Sequence, residues 1–131
     1  MRIANSRAPV DEYQALYSGM IRLHVLYHAC KGAIFGLEMI EELSRHGYQV
    51  GPGTLYPILH EMEARGWLRS ERKLASGRIR RVYRATPSGR SALTAAKEKV
   101  MELFGELFER SARPIVFDSP RRRLRTQQED S

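Results

Sequence analysis

The stretch Gly51-Pro52-Gly53-Thr54-Leu55-Tyr56-Pro57-Ile58-Leu59-His60-Glu61-Met62-Glu63-Ala64-Arg65-Gly66 constrains this chain most, because it spells a short helix with a stop at each end. Leu55, Leu59 and Met62, with Ile58 beside them, take the i, i+4, i+7 spacing that gives a helix one apolar face. At ~100° per residue the opposite side carries Gly53, Tyr56, Pro57, His60 and Ala64, with Thr54 and Glu61 flanking it. Such a helix is anchored on one side and offers the other to something large. Gly51-Pro52-Gly53 forces a tight turn and leaves the first backbone N–H groups free, which attracts phosphate. Gly66 closes the helix as a left-handed cap. Pro57 leaves two starts open: Thr54 as N-cap with Pro57 in the first turn, or a start at Pro52 with a bend at Pro57. A start between the two is expected.

The chain has 131 residues, enough for one domain with a modest core. No run approaches the ~18 apolar residues of a membrane span, so no membrane partner is expected. Met1-Arg2-Ile3-Ala4-Asn5-Ser6-Arg7 lacks the apolar centre of a secretory signal, and a single cysteine, Cys30, excludes an intrachain disulfide framework. Both point to the cytoplasm. The formal charge is +7, and nearly all of that surplus is local. Arg69, Arg72, Lys73, Arg78, Arg80, Arg81 and Arg84 face a single acid, Glu71, between positions 69 and 84. A solvated face usually mixes its signs more evenly, so this segment reads as the footprint of a polyanion.

Around these two features the remaining elements fall into order. Residues 1–10 lack periodicity and read as an arm. Asp11 offers an N-cap to a first helix from Glu12 to about Ala29, with Leu16, Met20, Leu23 and Tyr27 expected to face inward and Tyr13, Tyr17 and Ile21 near them. After a break at Lys31-Gly32-Ala33-Ile34, a second helix runs from Phe35 to Leu43 with Leu37, Ile40 and Leu43 inward, capped by Gly47. Two short helices joined by a glycine-containing link make a helix-turn-helix, whose second helix enters the DNA major groove. Two runs rich in arginine and strand-forming residues, Trp67 to Leu74 and Arg78 to Ala85, flank a Ser-Gly turn and read as a β-hairpin held at its base by Trp67, Leu68, Val82 and Tyr83. A basic hairpin after a helix-turn-helix is the wing that crosses the backbone or enters the minor groove.

Thr86 and Pro87 open a last helix as N-cap and first helical residue. Leu93, Ala96, Val100, Leu103 and Leu107 form a heptad seam along it, widened by Phe104 and Phe108. The other helices are committed, so a second copy is the expected partner of this seam, and packing on the first helix of the same chain is the alternative. The expected fold is mainly α with a small β-hairpin. Its parts are a winged helix-turn-helix over 11–86, a dimerisation helix over 87–111 and a basic tail over 112–131.

Phe35-Gly36-Leu37-Glu38-Met39-Ile40, Gly51-Pro52-Gly53-Thr54-Leu55-Tyr56-Pro57-Ile58-Leu59, Glu63-Ala64-Arg65-Gly66-Trp67-Leu68 and Arg80-Arg81-Val82-Tyr83-Arg84-Ala85-Thr86-Pro87-Ser88-Gly89 resemble the PadR family of bacterial transcription regulators. The resemblance covers about residues 20 to 95, and Pro-Gly-Thr-Leu-Tyr-Pro is its most specific segment. It implies a homodimeric repressor on inverted-repeat operators, a C-terminal dimerisation helix, and often a small aromatic or drug-like inducer. The short single last helix looks like the smaller branch of the family. By the same resemblance Thr54, Tyr56 and His60 fall at DNA-facing positions of the recognition helix, and the wing arginines Arg78, Arg80 and Arg81 at groove-facing ones. Many members carry tyrosine where this chain has Phe35 and Leu37, which removes any phosphate contact by a hydroxyl there.

Other chemistry finds little support. His24 and His28 stand four apart on one helical face, a spacing that suits metal ligands, but no carboxylate joins them locally and Cys30 points away, so no metal or other cofactor is expected. Cys30 reads as a small buried hydrophobe, and Lys31 beside it leaves a thiol sensor as the alternative. No nucleophile triad, phosphate loop or paired carboxylate appears, so the chain is not read as an enzyme. An RNA-binding or purely structural winged helix is the alternative function, without ligand control. Tyr17, Phe104 and Phe108 are the candidates for stacking on a planar inducer.

Overall fold

The computed structural model describes residues 8–108. The first seven residues of the expected arm, residues 109–111 at the end of the expected last helix and the 112–131 tail lie outside the described residues. The elements run α1 (Ala8–Lys31), β1 (Ile34–Phe35), α2 (Gly36–Arg45), α3 (Pro52–Ala64), β2 (Leu68–Ala75), β3 (Arg78–Ala85) and α4 (Pro87–Phe108). The fold is mainly helical with a three-stranded antiparallel sheet in the order β1-β3-β2. Contacts divide the chain into one unit up to Glu98 and another from Lys99 on.

Within the first unit, Leu55, Ile58, Leu59 and Met62 of α3 are buried with Met39 and Leu43 of α2, Ile21, Val25, Leu26 and Ala29 of α1, and Leu68, Tyr83 and Ala85 of the sheet. Two helix ends explain how α2 and α3 are spaced. Gly47 takes φ +90° and Gly66 φ +85°. The amides of Gly47 and Tyr48 donate to the carbonyls of Ser44 and Leu43, and those of Gly66 and Trp67 to Glu63 and Met62. Both are Schellman caps, which satisfy the last carbonyls and turn the chain sharply. The hairpin turns on Ser76 (φ 53°) and Gly77 (φ 75°), with Ala75 opposite Arg78. Two left-handed residues make a type I′ turn, whose twist matches that of the strands.

Several expectations shift. α3 begins at Pro52, so the second of the two starts is the one adopted, and Pro57 lies inside the helix on its exposed side. α1 begins at Ala8, which puts Asp11 inside the helix rather than at its cap. The inward stripe of α1 is Ile21, Val25, Leu26 and Ala29, whereas Leu16, Met20 and Tyr27 are exposed at 71%, 49% and 46%. α1 is apolar on two opposite sides, and the slimmer Val25 and Ala29 suit close packing on β3. In α2, Met39 rather than Leu37 is buried. Ile34 and Phe35 of β1 pair with Tyr83 and Val82, so the helix starts at Gly36 rather than Phe35, and Gly36, Met39 and Leu43 form its buried side.

α4 starts as expected. The Thr86 hydroxyl accepts from the Gly89 amide at 2.9 Å and donates to the Gly66 carbonyl, tying the cap of α3 to the start of α4. Gly89 is buried, and a Cβ there would run into the Trp67 carbonyl oxygen, which already accepts the Thr86 amide at 3.0 Å. Gly89→Ala is therefore expected to destabilise the fold by about 1–3 kcal/mol. Gly19 lies in α1 with open space around its Cβ position, so Gly19→Ala should stabilise by up to about 1 kcal/mol. Thermal melts of both variants check the two signs.

Candidate nucleic-acid interface

The exposed end of α3 is built by what its other side buries. Leu55, Leu59 and Met62 are fully buried, which turns Gly51, Pro52, Gly53, Pro57 and His60 to the surface, with Thr54 half-buried. Gly51 is the N-cap, no side chain bonds the cap, and the first turn carries no acid. A helix start with this character presents its partial positive charge outward. Tyr56 is different. It is half-buried, and its ring and hydroxyl lie so close over Gly36 that a Cβ there would strike them. The tyrosine thus locks α3 against the start of α2, and only part of it is left for a partner.

The acids of α3 are drawn back into the protein. Glu61 accepts both Nε (3.1 Å) and Nη2 of Arg22 from α1, and Nε of Arg65 at 3.1 Å. The hydrogen bond from Arg22, and after it that from Arg65, holds the Glu61 carboxyl below the usual carboxylate range. Glu63 accepts the amide and hydroxyl of Ser70 on β2, and that hydroxyl also takes Nη1 of Arg81 at 3.0 Å. Ordered pairing of this kind leaves little bare negative charge beside His60 to repel a phosphate.

The three wing arginines singled out in the sequence fall into different roles. Arg78 is exposed beside the turn. Arg81 is exposed and steadied by Ser70. Arg80 is half-buried: its Nη2 donates to Glu38 Oε1 at 2.8 Å and its guanidinium lies 4.1 Å from the centre of the Phe35 ring. That hydrogen bond is the main reason the Glu38 carboxyl titrates low. Arg80 therefore fastens the wing to the start of α2. Arg72 and Lys73, opposite Arg81 and Arg80, are further exposed cations of the same basic run, with nothing in their local sequence to set them apart from Arg69 or Arg84.

Away from this face, Tyr17 lines a crevice of about 210 Å³ with Tyr13, Gln14, Ile21 and the Gly47–Val50 link, and meets Tyr48 edge-on at 5.6 Å. Phe104 and Phe108 pair with each other at 5.0 Å on α4. Along the seam, Leu93 and Ala96 are half-buried, while Val100, Leu103 and Leu107 are exposed. His24 stacks on His46 at 4.7 Å, and His28 and His46 approach Glu42 Oε2 at 3.4 and 3.0 Å. Burial first, then the neighbouring His46 and His28, lowers the pKa of His24. Among the described residues, no group of three or more His, Cys, Asp or Glu is arranged to hold a metal. Cys30 is half-buried against the core. No helix among the described residues is long and apolar enough to cross a membrane.

Residues 25–95 match the family described as transcriptional regulator PadR-like. The transcriptional regulator Rv3488 of Mycobacterium tuberculosis is 54% identical over 87 residues, which are 66% of this chain and 81% of that protein. A PadR-like transcriptional regulator of Bacillus cereus superposes with a TM-score of 0.64 at 25% identity, over 72% of this chain and 97% of that one. A PadR family transcriptional regulator of Eggerthella lenta shares the fold with a TM-score of 0.64 at 24% identity, over 84% and 100%. Both the matched family and the Mycobacterium relative are transcriptional regulators, not enzymes. With its anchored α3, glycine-headed helix start and basic wing, the chain belongs to the PadR-like family of DNA-binding transcriptional regulators.

Proposed function

We propose that the protein is a cytoplasmic homodimeric repressor that binds an inverted-repeat operator and leaves it when a small planar aromatic ligand binds. Residues 11–86 read the DNA and the segment 87–111, which contains α4, joins the copies. The observation that carries this reading is the outward stripe of α1. Leu16, Met20 and Tyr27 lie on the side opposite the buried Ile21, Val25 and Ala29, so the helix has one apolar face covered by its own core and another uncovered. α4 adds Val100, Leu103 and Leu107, each about half exposed or more. Long apolar side chains left open on two helices favour a second copy as their cover. Two α3 helices held by such a dimer meet successive major grooves of one duplex face.

Within each copy, Thr54 and His60 are the base-reading candidates, and Tyr56 contributes whatever part of its hydroxyl Gly36 leaves open. Arg78 and Arg81 supply phosphate or minor-groove contacts. The crevice at Tyr17 supports ligand control because Gly47–Val50 line it and lead directly into the Gly51 cap of α3. Phe104 and Phe108 offer a second aromatic surface for the same kind of ligand. A ligand that favours one placement of that link shifts the population away from the DNA-bound form.

Sedimentation at micromolar concentration should give a dimer for the wild type and a monomer for Leu16→Glu and Leu103→Glu, and a monomeric wild type would sink the proposal. Thr54→Val with His60→Ala should cost about 1–3 kcal/mol of operator affinity per lost base contact, and should cost random duplex far less. In salt titrations, Arg78→Ala and Arg81→Ala should each lower the log–log slope by ~0.9, whereas Arg80→Ala should leave the slope and lower the melting temperature. A panel of planar aromatic compounds should include at least one that weakens operator binding; no response across the panel counts against ligand control.

A further inference from the structure

The far end of the wing carries an apolar pair that phosphate binding does not explain. Leu74 and Ile79 stand directly opposite each other in the hairpin, one residue from its turn strand ends, and are 72% and 68% exposed. Side chains alternate along a strand, and directly paired residues share a face. One face of the hairpin therefore runs from the buried Leu68–Ala85 pair through Arg72–Arg81 to Leu74–Ile79. The other face carries Lys73 and Arg78 at the same end. The result is an apolar knob with Arg72 and Arg81 next to it on its own face and Lys73 and Arg78 on the opposite face. A wing that served only phosphates would need the cations and not the knob, since a large side chain left in water gains nothing there.

We propose that Leu74 and Ile79 form a wedge that enters the minor groove of the operator and partly unstacks a base step, while the cations around them hold the flanking phosphates. This deepens the reading of the wing as a DNA contact and rests on it. Charge selects the occupant, because Arg72 and Arg81 flank the knob on its face, Lys73 and Arg78 back it from the other, and together they match a groove walled by phosphates. With its van der Waals envelope, a cross-strand pair whose Cβ atoms are about 4.5–5.5 Å apart is wider than the ~6 Å of an undeformed minor groove, so entry opens the groove, which is the deformation a wedge produces. Leucine and isoleucine are among the side chains that proteins insert between base steps, kinking the duplex. Such a wedge reads deformability, so it favours a flexible pyrimidine–purine step under the wing over a stiff A-tract, with no base hydrogen bond.

The test uses genomic duplexes recovered on the wild-type protein and the variant L74T/I79T, since threonine keeps strand propensity and removes the knob. L74V/I79V serves as the conservative control. The threonine variant should lose about tenfold or more in affinity with an unchanged log–log salt slope, because an apolar contact neutralises no phosphate. It should bend the duplex less, read by energy transfer between end-labelled dyes, and lose the preference for a flexible step over an A-tract. The valine variant should keep both properties. Equal affinity and bend in the threonine variant overturn the wedge, as does a slope that falls with the affinity, which would place the effect on the cations. Loss of sedimentation with phosphatidylglycerol vesicles alongside intact DNA binding would reassign the knob to a lipid surface and overturn it too. A wild-type protein that retains no duplex removes the DNA reading itself, and the wedge with it.

Discussion

Burial of Leu55, Ile58, Leu59 and Met62 in one core fixes α3, and the rest of the structure depends on that anchoring. Three of these side chains are fully buried, and they leave the helix no freedom to rotate about its axis without exposing them. The Schellman caps at Gly47 and Gly66 then set where the helix enters and leaves. Contact between Tyr56 and Gly36 sets its distance from α2. A helix held at both ends and along one side presents Thr54 and His60 in a fixed orientation, which is the preorganisation that base reading requires.

Electrostatics around this helix follow from pairing rather than from composition. Glu61 and Glu63 are drawn toward Arg22 and Ser70, and Glu38 toward Arg80. These pairs are partly exposed and contribute little to stability singly. Their effect is to decide which charges remain open: Arg72, Lys73 and Arg78 on the wing stand exposed, while Arg80 is spent on joining the wing to α2. The same hairpin thus has a structural root and a cationic end.

Local punctuation made much of this legible in the sequence. Gly47, Gly66, the Ser-Gly turn and the Thr86 cap act over a few residues, so each was visible without the fold. The apolar spacing of α3 was equally plain, since only one stripe is available. α1 offered two stripes, and periodicity cannot tell the one that meets its own core from the one on the opposite side. β1 is two residues long and leaves no periodic trace, yet it holds the start of α2 against β3, and Leu37 lies on the exposed side of that helix. Arg80 looked like its neighbours because its partner Glu38 lies 42 positions earlier. The contact of Tyr56 with Gly36, 20 positions away, exists only in three dimensions.

In the proposed complex, two copies of the glycine-headed α3 meet one duplex together. Hydroxyl-radical footprinting of the protein on a recovered operator fragment measures that geometry directly. Two protected half-sites related by a dyad are expected, with centres about one helical turn, ~34 Å, apart. A single protected half-site at saturating protein, with no symmetric counterpart, would contradict it.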